Sequence, residues 1–130
     1  MIAHTGVYVK KYKGAKEFYT KVLKTVGYKL SMEFGEAAGF MEGGETSFWI
    51  SQKKKMMPGH VAFEAKNKKE VDSFYRVAMK NGAKDNGKPG YRPDYWPGYY
   101  AAFILDSDGN NIEAVWFDYS KVKTSKAKKK

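Results

Sequence analysis

The sequence predicts an α+β protein in which one unit of strand, helix and three strands occurs twice. Three observations lead there. First, Ala3-His4-Thr5-Gly6-Val7-Tyr8-Val9 and His60-Val61-Ala62-Phe63-Glu64-Ala65-Lys66 both alternate with the period of a β-strand. Second, each is followed by an apolar stripe at helical spacing: Ala15, Phe18, Tyr19, Val22, Leu23 and Val26 in the first half, Val71, Phe74, Tyr75, Ala78 and Met79 in the second. Third, the halves keep step. His4 and His60 lie 56 residues apart, as do Phe18-Tyr19 and Phe74-Tyr75, while Gly27 and Gly82 differ by 55. Self-similarity at such a period marks a duplicated supersecondary unit.

Taken in order, the first strand carries Thr5, Val7 and Val9 on one face and His4, Gly6 and Tyr8 on the other. The first helix has no evident N-cap, because Lys11-Tyr12-Lys13 offers no good capping side chain, and it stops at Gly27. Strands follow near 28–34, 37–41 and 46–51, with Gly35 and Gly43-Gly44 marking the turns. Lys53 to Lys55 and Pro58-Gly59 read as a linker. In the second half Asn67 is a sound N-cap with Glu70 three positions on. The hairpin Tyr99 to Trp116 closes the unit through the turn Asp106-Ser107-Asp108-Gly109-Asn110. Between them, Gly87 to Gly98 combines three prolines with Tyr91, Arg92, Tyr95 and Trp96, which reads as a stiff lid over a cleft mouth. The expected boundaries are a single domain over 1–120, with module one 1–52, linker 53–58 and module two 59–117, then a disordered lysine-rich tail over 121–130.

Composition narrows the function classes. The chain has 130 residues and no cysteine, which removes disulfide frameworks, thiolate metal sites and cysteine nucleophiles. His, Asp and Glu remain as the strong ligands, and histidine occurs only twice. The net charge of +10 argues for a nucleic-acid partner only until its distribution is read: Lys121 to Lys130 holds six lysines and no acid, so the other 120 residues carry only +4. No run approaches about 18 apolar residues, and Met1-Ile2-Ala3-His4 lacks the features of a secretory signal, so a cytoplasmic protein without a membrane partner is expected.

A helix covers one face of each sheet, and the two open faces then enclose a cleft by meeting each other. His4 and His60 fall on those open faces, and Glu113 lies within an otherwise apolar strand. A buried carboxylate without a partner costs several kcal/mol, so a cation, a ligand or water is expected beside it. Two imidazoles and one carboxylate suit a first-row divalent ion and leave positions for a substrate that chelates through adjacent oxygens. Arg92 is a candidate for holding a substrate carboxylate or phosphate. Tyr91, Trp96 and Tyr99 either line the pocket or pin the loop to the core. General-base work falls on Glu113 or on a tyrosine such as Tyr100. There is neither a phosphate-binding glycine loop nor a nucleophile motif.

His4, the segment Phe18-Tyr19-Thr20-Lys21-Val22-Leu23, the strand Gly59-His60-Val61-Ala62-Phe63 and the turn Asp106 to Glu113 together resemble the vicinal oxygen chelate superfamily. That superfamily includes glyoxalase I, bleomycin resistance proteins, fosfomycin thiol transferases and extradiol dioxygenases. The resemblance implies two βαβββ modules pairing into a cup-shaped mixed β-sheet with the helices outside. It implies one divalent ion (zinc, nickel, manganese or iron) on His4, His60 and Glu113, a small oxygen-rich substrate, and pairing as a homodimer. Glyoxalase I enzymes add a fourth ligand at the end of module one. Aligning Gly44 with Gly109 puts Phe48 there, which cannot ligate and is left as a substrate contact. Lyase or isomerase chemistry comes first on this reading and ring-opening dioxygenase chemistry second. A metal-free binder of the bleomycin-resistance kind is the competing class.

Overall fold

In the computed structural model, which describes residues 2–55 and 57–122, the elements follow the expected order. Module one is β1 (Thr5–Val9), α1 (Tyr12–Lys24), β2 (Lys29–Phe34), β3 (Ala37–Glu42) and β4 (Glu45–Gln52). Module two is β5 (His60–Glu64), α2 (Lys68–Lys80), β6 (Lys84–Tyr91), β7 (Tyr99–Leu105) and β8 (Asn111–Phe117). A short 3₁₀ turn, Tyr119–Lys121, follows. Each module forms a four-stranded mixed sheet, ordered β1-β4-β3-β2 and β5-β8-β7-β6, with β1 parallel to β4 and β5 parallel to β8. This is the duplicated α+β architecture that the half-chain spacing predicts. The tail expected over 121–130 lies, beyond Val122, outside the described residues. No helix of the described residues is long and apolar enough to cross a membrane.

The helix starts differ in a way the local sequence explains only once. At α2, Asn67 Oδ1 accepts from the Glu70 amide at 2.8 Å, and Glu70 Oε1 accepts from the Lys66 amide at 2.9 Å. At α1, Lys11 caps nothing with its side chain, and the Tyr12 amide instead donates to Gln52 Oε1 at 2.7 Å, from the end of β4. Both helices end before a glycine at positive φ, Gly27 at 89° and Gly82 at 98°.

The first five residues of the segment expected to be a lid, 87–91, are strand. β6 runs through Gly90 and Tyr91, and only 92–98 connects it to β7. The prolines and glycines fit because β6 bulges twice, between Asp85 and Gly87 and between Gly87 and Gly90. Pro89 lies inside the second bulge, where the ladder asks it for no N–H. The Arg92 guanidinium donates to the Lys88 and Gly90 carbonyls at 2.7 and 2.8 Å, satisfying acceptors that the bulge leaves off the ladder.

The helix-covered faces of both sheets supply one continuous core. Phe48 packs on Phe63 with ring centroids 4.9 Å apart, and Tyr28 packs on Phe63 at 5.0 Å. Polar contacts join the modules as well. The Tyr19 hydroxyl donates to Asp106 Oδ2 at 2.6 Å and Asn110 Nδ2 donates to the Tyr8 carbonyl at 2.9 Å, while Asn110 Oδ1 is held within its own module by the Gly59 amide at 2.8 Å. Burial first, and then the Asp106 charge, push the Tyr19 phenol well above its ordinary range.

Tyr19→Phe is expected to cost about 2 kcal/mol, the worth of a buried hydrogen bond to a charged acceptor, in urea unfolding at pH 7. The raised folded-state pKa keeps this contribution intact below the unfolded tyrosine value of about 10, and it is lost as pH rises from there toward the folded value. The wild type should therefore lose stability above about pH 10 more steeply than Tyr19→Phe.

Candidate functional site

β8 runs through the middle of the second sheet, and its alternation sets the site. Ile112 and Ala114 point into the core, so Asn111, Glu113, Val115 and Phe117 take the open face. Parallel pairing places His60 beside Asn111 and Ala62 beside Glu113. Glu113, only 2% exposed, thus lies on the same open face as His60. His60 Nε2 stands 3.4 Å from Glu113 Oε1. On the other side of the ring, Nδ1 lies 2.9 Å from the Asn111 carbonyl oxygen, which can only accept. Nδ1 therefore carries the hydrogen, and Nε2 is the nitrogen turned to the carboxylate.

The second oxygen of Glu113 is taken by the neighbouring strand. The Tyr99 hydroxyl donates to Oε2, and the Tyr99 ring is held edge-on between Tyr95 at 5.2 Å and Phe117 at 5.5 Å. Burial, followed by the hydrogen bond to Glu113 and its charge, raises the Tyr99 pKa, so the phenol stays protonated and donating at neutral pH.

Of the three candidate ligands, the chain brings two, His60 and Glu113, together at this point. Two ligands about 2.1 Å from one ion at a tetrahedral angle stand about 3.4 Å apart. Nε2 and Oε1 stand at about that separation, with no hydrogen on Nε2 to bridge them. His4 does not join them within the chain. It lies exposed just before β1 and lines a cavity of about 270 Å³ between the modules with Thr5, Ser47, Phe48, Ala62 and Phe63. Among the described residues, no group of three or more His, Asp or Glu side chains is placed to hold a metal.

The remaining expected contacts divide. Phe48 is a core residue, 1% exposed on the helix-covered face between Tyr19, Phe40 and Phe63. Pairing of β1 with β4 and of β5 with β8 places Trp49 beside Gly6 as Glu113 lies beside Ala62, so Trp49 is the counterpart of Glu113. The glycine alignment misses by one residue because β4 carries a bulge: Phe40 pairs with Phe48 and Met41 with Thr46, which leaves Ser47 unpaired. Tyr91 turns to the helix side, where its hydroxyl donates to Asp118 at 2.7 Å and its ring meets Tyr100 at 5.0 Å. Tyr100 is likewise on the helix side, donating to Asp72 at 2.5 Å, so neither can act as a base on the open face. Arg92 lies over the Phe103 ring at 5.5 Å, at the rim of the open face that carries Glu113. Trp96 packs on Phe117 at 5.7 Å.

A duplicated βαβββ unit with an imidazole and a carboxylate on the open face of its second sheet defines a small class of proteins. The profile of the Glyoxalase/Bleomycin resistance protein/Dioxygenase superfamily matches residues 1–114, and the chain belongs to that superfamily. Solved structures share the fold. A glyoxalase/bleomycin resistance protein from Albidiferax ferrireducens T118 is 24% identical with a TM-score of 0.79, covering 88% of this chain and 97% of that one. A lactoylglutathione lyase from Agrobacterium tumefaciens is 20% identical with a TM-score of 0.69, covering 89% of this chain and 92% of that one. A genomically encoded fosfomycin resistance protein from Listeria monocytogenes is 14% identical with a TM-score of 0.69, covering 93% of this chain and 96% of that one. No curated protein matches this chain in sequence.

The register has a direct test. Phe48→Ala should destabilise the protein by about 3–5 kcal/mol, as for a buried aromatic replaced in a core, while Trp49→Ala on the open face should cost less than about half of that. Thermal or chemical unfolding of the two variants side by side decides it.

Proposed function

We propose that this chain is a metal-dependent enzyme of the glyoxalase type acting on a small oxygen-rich substrate, with two copies pairing so that His4 of one joins His60 and Glu113 of the other. The observation that carries the reading is the His60–Glu113 pair, in which an unprotonated imidazole nitrogen and a carboxylate oxygen face each other at the spacing of two ligands of one ion. Two further observations support pairing. Phe34, Met32 and Tyr8 on the open face of the first sheet are 63%, 42% and 41% exposed, so module two of the same chain does not cover them. His4 stands at the edge of that face, apart from the other two candidate ligands.

When bound, a divalent ion supplies a Lewis acid that polarises a substrate oxygen. The chain's own residues divide the remaining work. Asn111 fixes the His60 tautomer with Nε2 free, and Glu113 contributes negative charge through Oε1. Trp96 and the Tyr99 ring form an apolar wall beside the site, which excludes water, and Arg92 at the rim offers its remaining N–H groups to a substrate anion. Lyase or isomerase chemistry is the leading assignment, with dioxygenase chemistry second.

A metal-free small-molecule binder is favoured by one feature, the exposed stack of Phe34 on Trp49 at 6.2 Å, which presents a flat apolar surface. Metal analysis of protein purified without chelator separates the two. The enzyme reading expects about one equivalent per chain and higher thermal stability on adding metal, whereas less than about one-tenth of an equivalent with no stabilisation favours the binder. Pairing has its own test. His4→Ala and Glu113→Ala should each abolish metal uptake, and refolding the two variants together should restore about a quarter of an equivalent per chain, because a mixed pair holds one intact site. Failure to restore any would overturn the shared site.

A further inference from the structure

The Tyr99–Glu113 contact is not needed to build the fold. The Tyr99 ring is held by Tyr95 and Phe117, and the β7–β8 ladder runs from Tyr99–Phe117 through Leu105–Asn111 on backbone bonds alone. Yet the hydroxyl is aimed at one oxygen of a carboxylate that is 2% exposed, on the side away from His60. A buried carboxylate has two oxygens that are equivalent until something distinguishes them. Here Oε2 accepts from Tyr99 and Oε1 faces His60 Nε2.

We propose that Tyr99 is the positioning residue for Glu113: its hydroxyl occupies Oε2 and so presents Oε1 alone, beside His60 Nε2, to a divalent ion. The proposal rests on the metal-dependent reading above and adds to it a reason for an open coordination sphere. A carboxylate free to rotate can bind an ion through both oxygens, whereas one held at Oε2 binds through one and leaves a position to a chelating substrate. Tyr99 acts through Glu113 and does not itself contact the ion. The same ring remains part of the pocket wall, so one residue shapes both the substrate space and the ligand geometry.

Cobalt(II) alone is the probe, because its visible spectrum reports coordination number without any substrate. In the wild type, Co(II) should bind at about one per chain. Tyr99→Phe keeps the ring and removes the hydroxyl, and should weaken Co(II) binding about 10- to 100-fold and change the spectrum in a protein that still folds, its melting temperature lowered by the lost hydrogen bond as in Tyr19→Phe. Tyr95→Phe, which removes a hydroxyl from the same aromatic group without touching Glu113, should match the wild type in both. A Tyr99→Phe protein with wild-type affinity and spectrum overturns the role of Tyr99 and leaves the metal reading standing. A wild type that takes up no Co(II) overturns both. X-ray absorption on the unaltered protein gives an independent check should Tyr99→Phe not fold: a carboxylate bound through one oxygen supports the proposal, and one bound through both overturns it.

Discussion

Two polar side chains of the last turn hold the two halves of this molecule in register. Asp106 is buried, and its carboxylate accepts four donors: the amides of Asp108 and Asn110 on Oδ1, and Asn110 Nδ2 and the Tyr19 hydroxyl on Oδ2. Asn110, wholly buried, reaches from there to the Tyr8 carbonyl of module one and accepts from the Gly59 amide at the start of β5. A buried carboxylate left unpaired would be costly, and this one is fully satisfied only when the turn and α1 are both in place, while Asn110 adds the tie to β1. The network therefore works as a register lock. Shift module one by a residue and at least two of these bonds are lost together.

Everything at the open face follows from that lock. Asn110 anchors the start of β8, so Asn111 and Glu113 must face away from the core, and parallel pairing with β5 brings His60 alongside. The same strand in module one carries Trp49 where module two has Glu113, and the difference divides the labour of the duplicated units. Gly6 and Gly39 flank Trp49, and a Cβ on Gly6 would stand 2.5 Å from the Trp49 carbonyl oxygen, so the backbones approach there more closely than a side chain allows. One sheet gives an imidazole and a carboxylate, the other an apolar aromatic surface.

The sequence makes the architecture legible because the helices and strands repeat with clean periods and the glycines that stop them repeat too. His60 and Glu113 are legible for a related reason: a carboxylate in an apolar strand and an imidazole opening an alternating one both stand out against their surroundings. What the sequence hides is whatever depends on a bulge. One extra residue at Ser47 moves Phe48 from the expected open face to the core, and two bulges let the first part of the expected lid, with Pro89, continue as strand and carry Tyr91 to the helix side. A bulge shifts every later side chain by one face without leaving a compositional trace, since serine and glycine are common everywhere. The Gln52 cap on α1 is hidden for another reason, because its partners are 40 residues apart.

The exposed face of the first sheet and the incomplete ligand set of the second are, on the reading proposed here, one fact seen from two sides. Phe34, Met32 and Tyr8 leave an apolar surface that pairing would cover, and burying it would favour association by the ordinary hydrophobic term. A ligand that crosses the same seam couples ion uptake to association. Each equivalent of metal then stabilises the pair by as much as pairing raises metal affinity, because the two share a single thermodynamic cycle. On that reading the device would need no moving part: the lock at Asp106 and Asn110 holds the strand that carries Glu113, and the encounter of two such chains would complete the site.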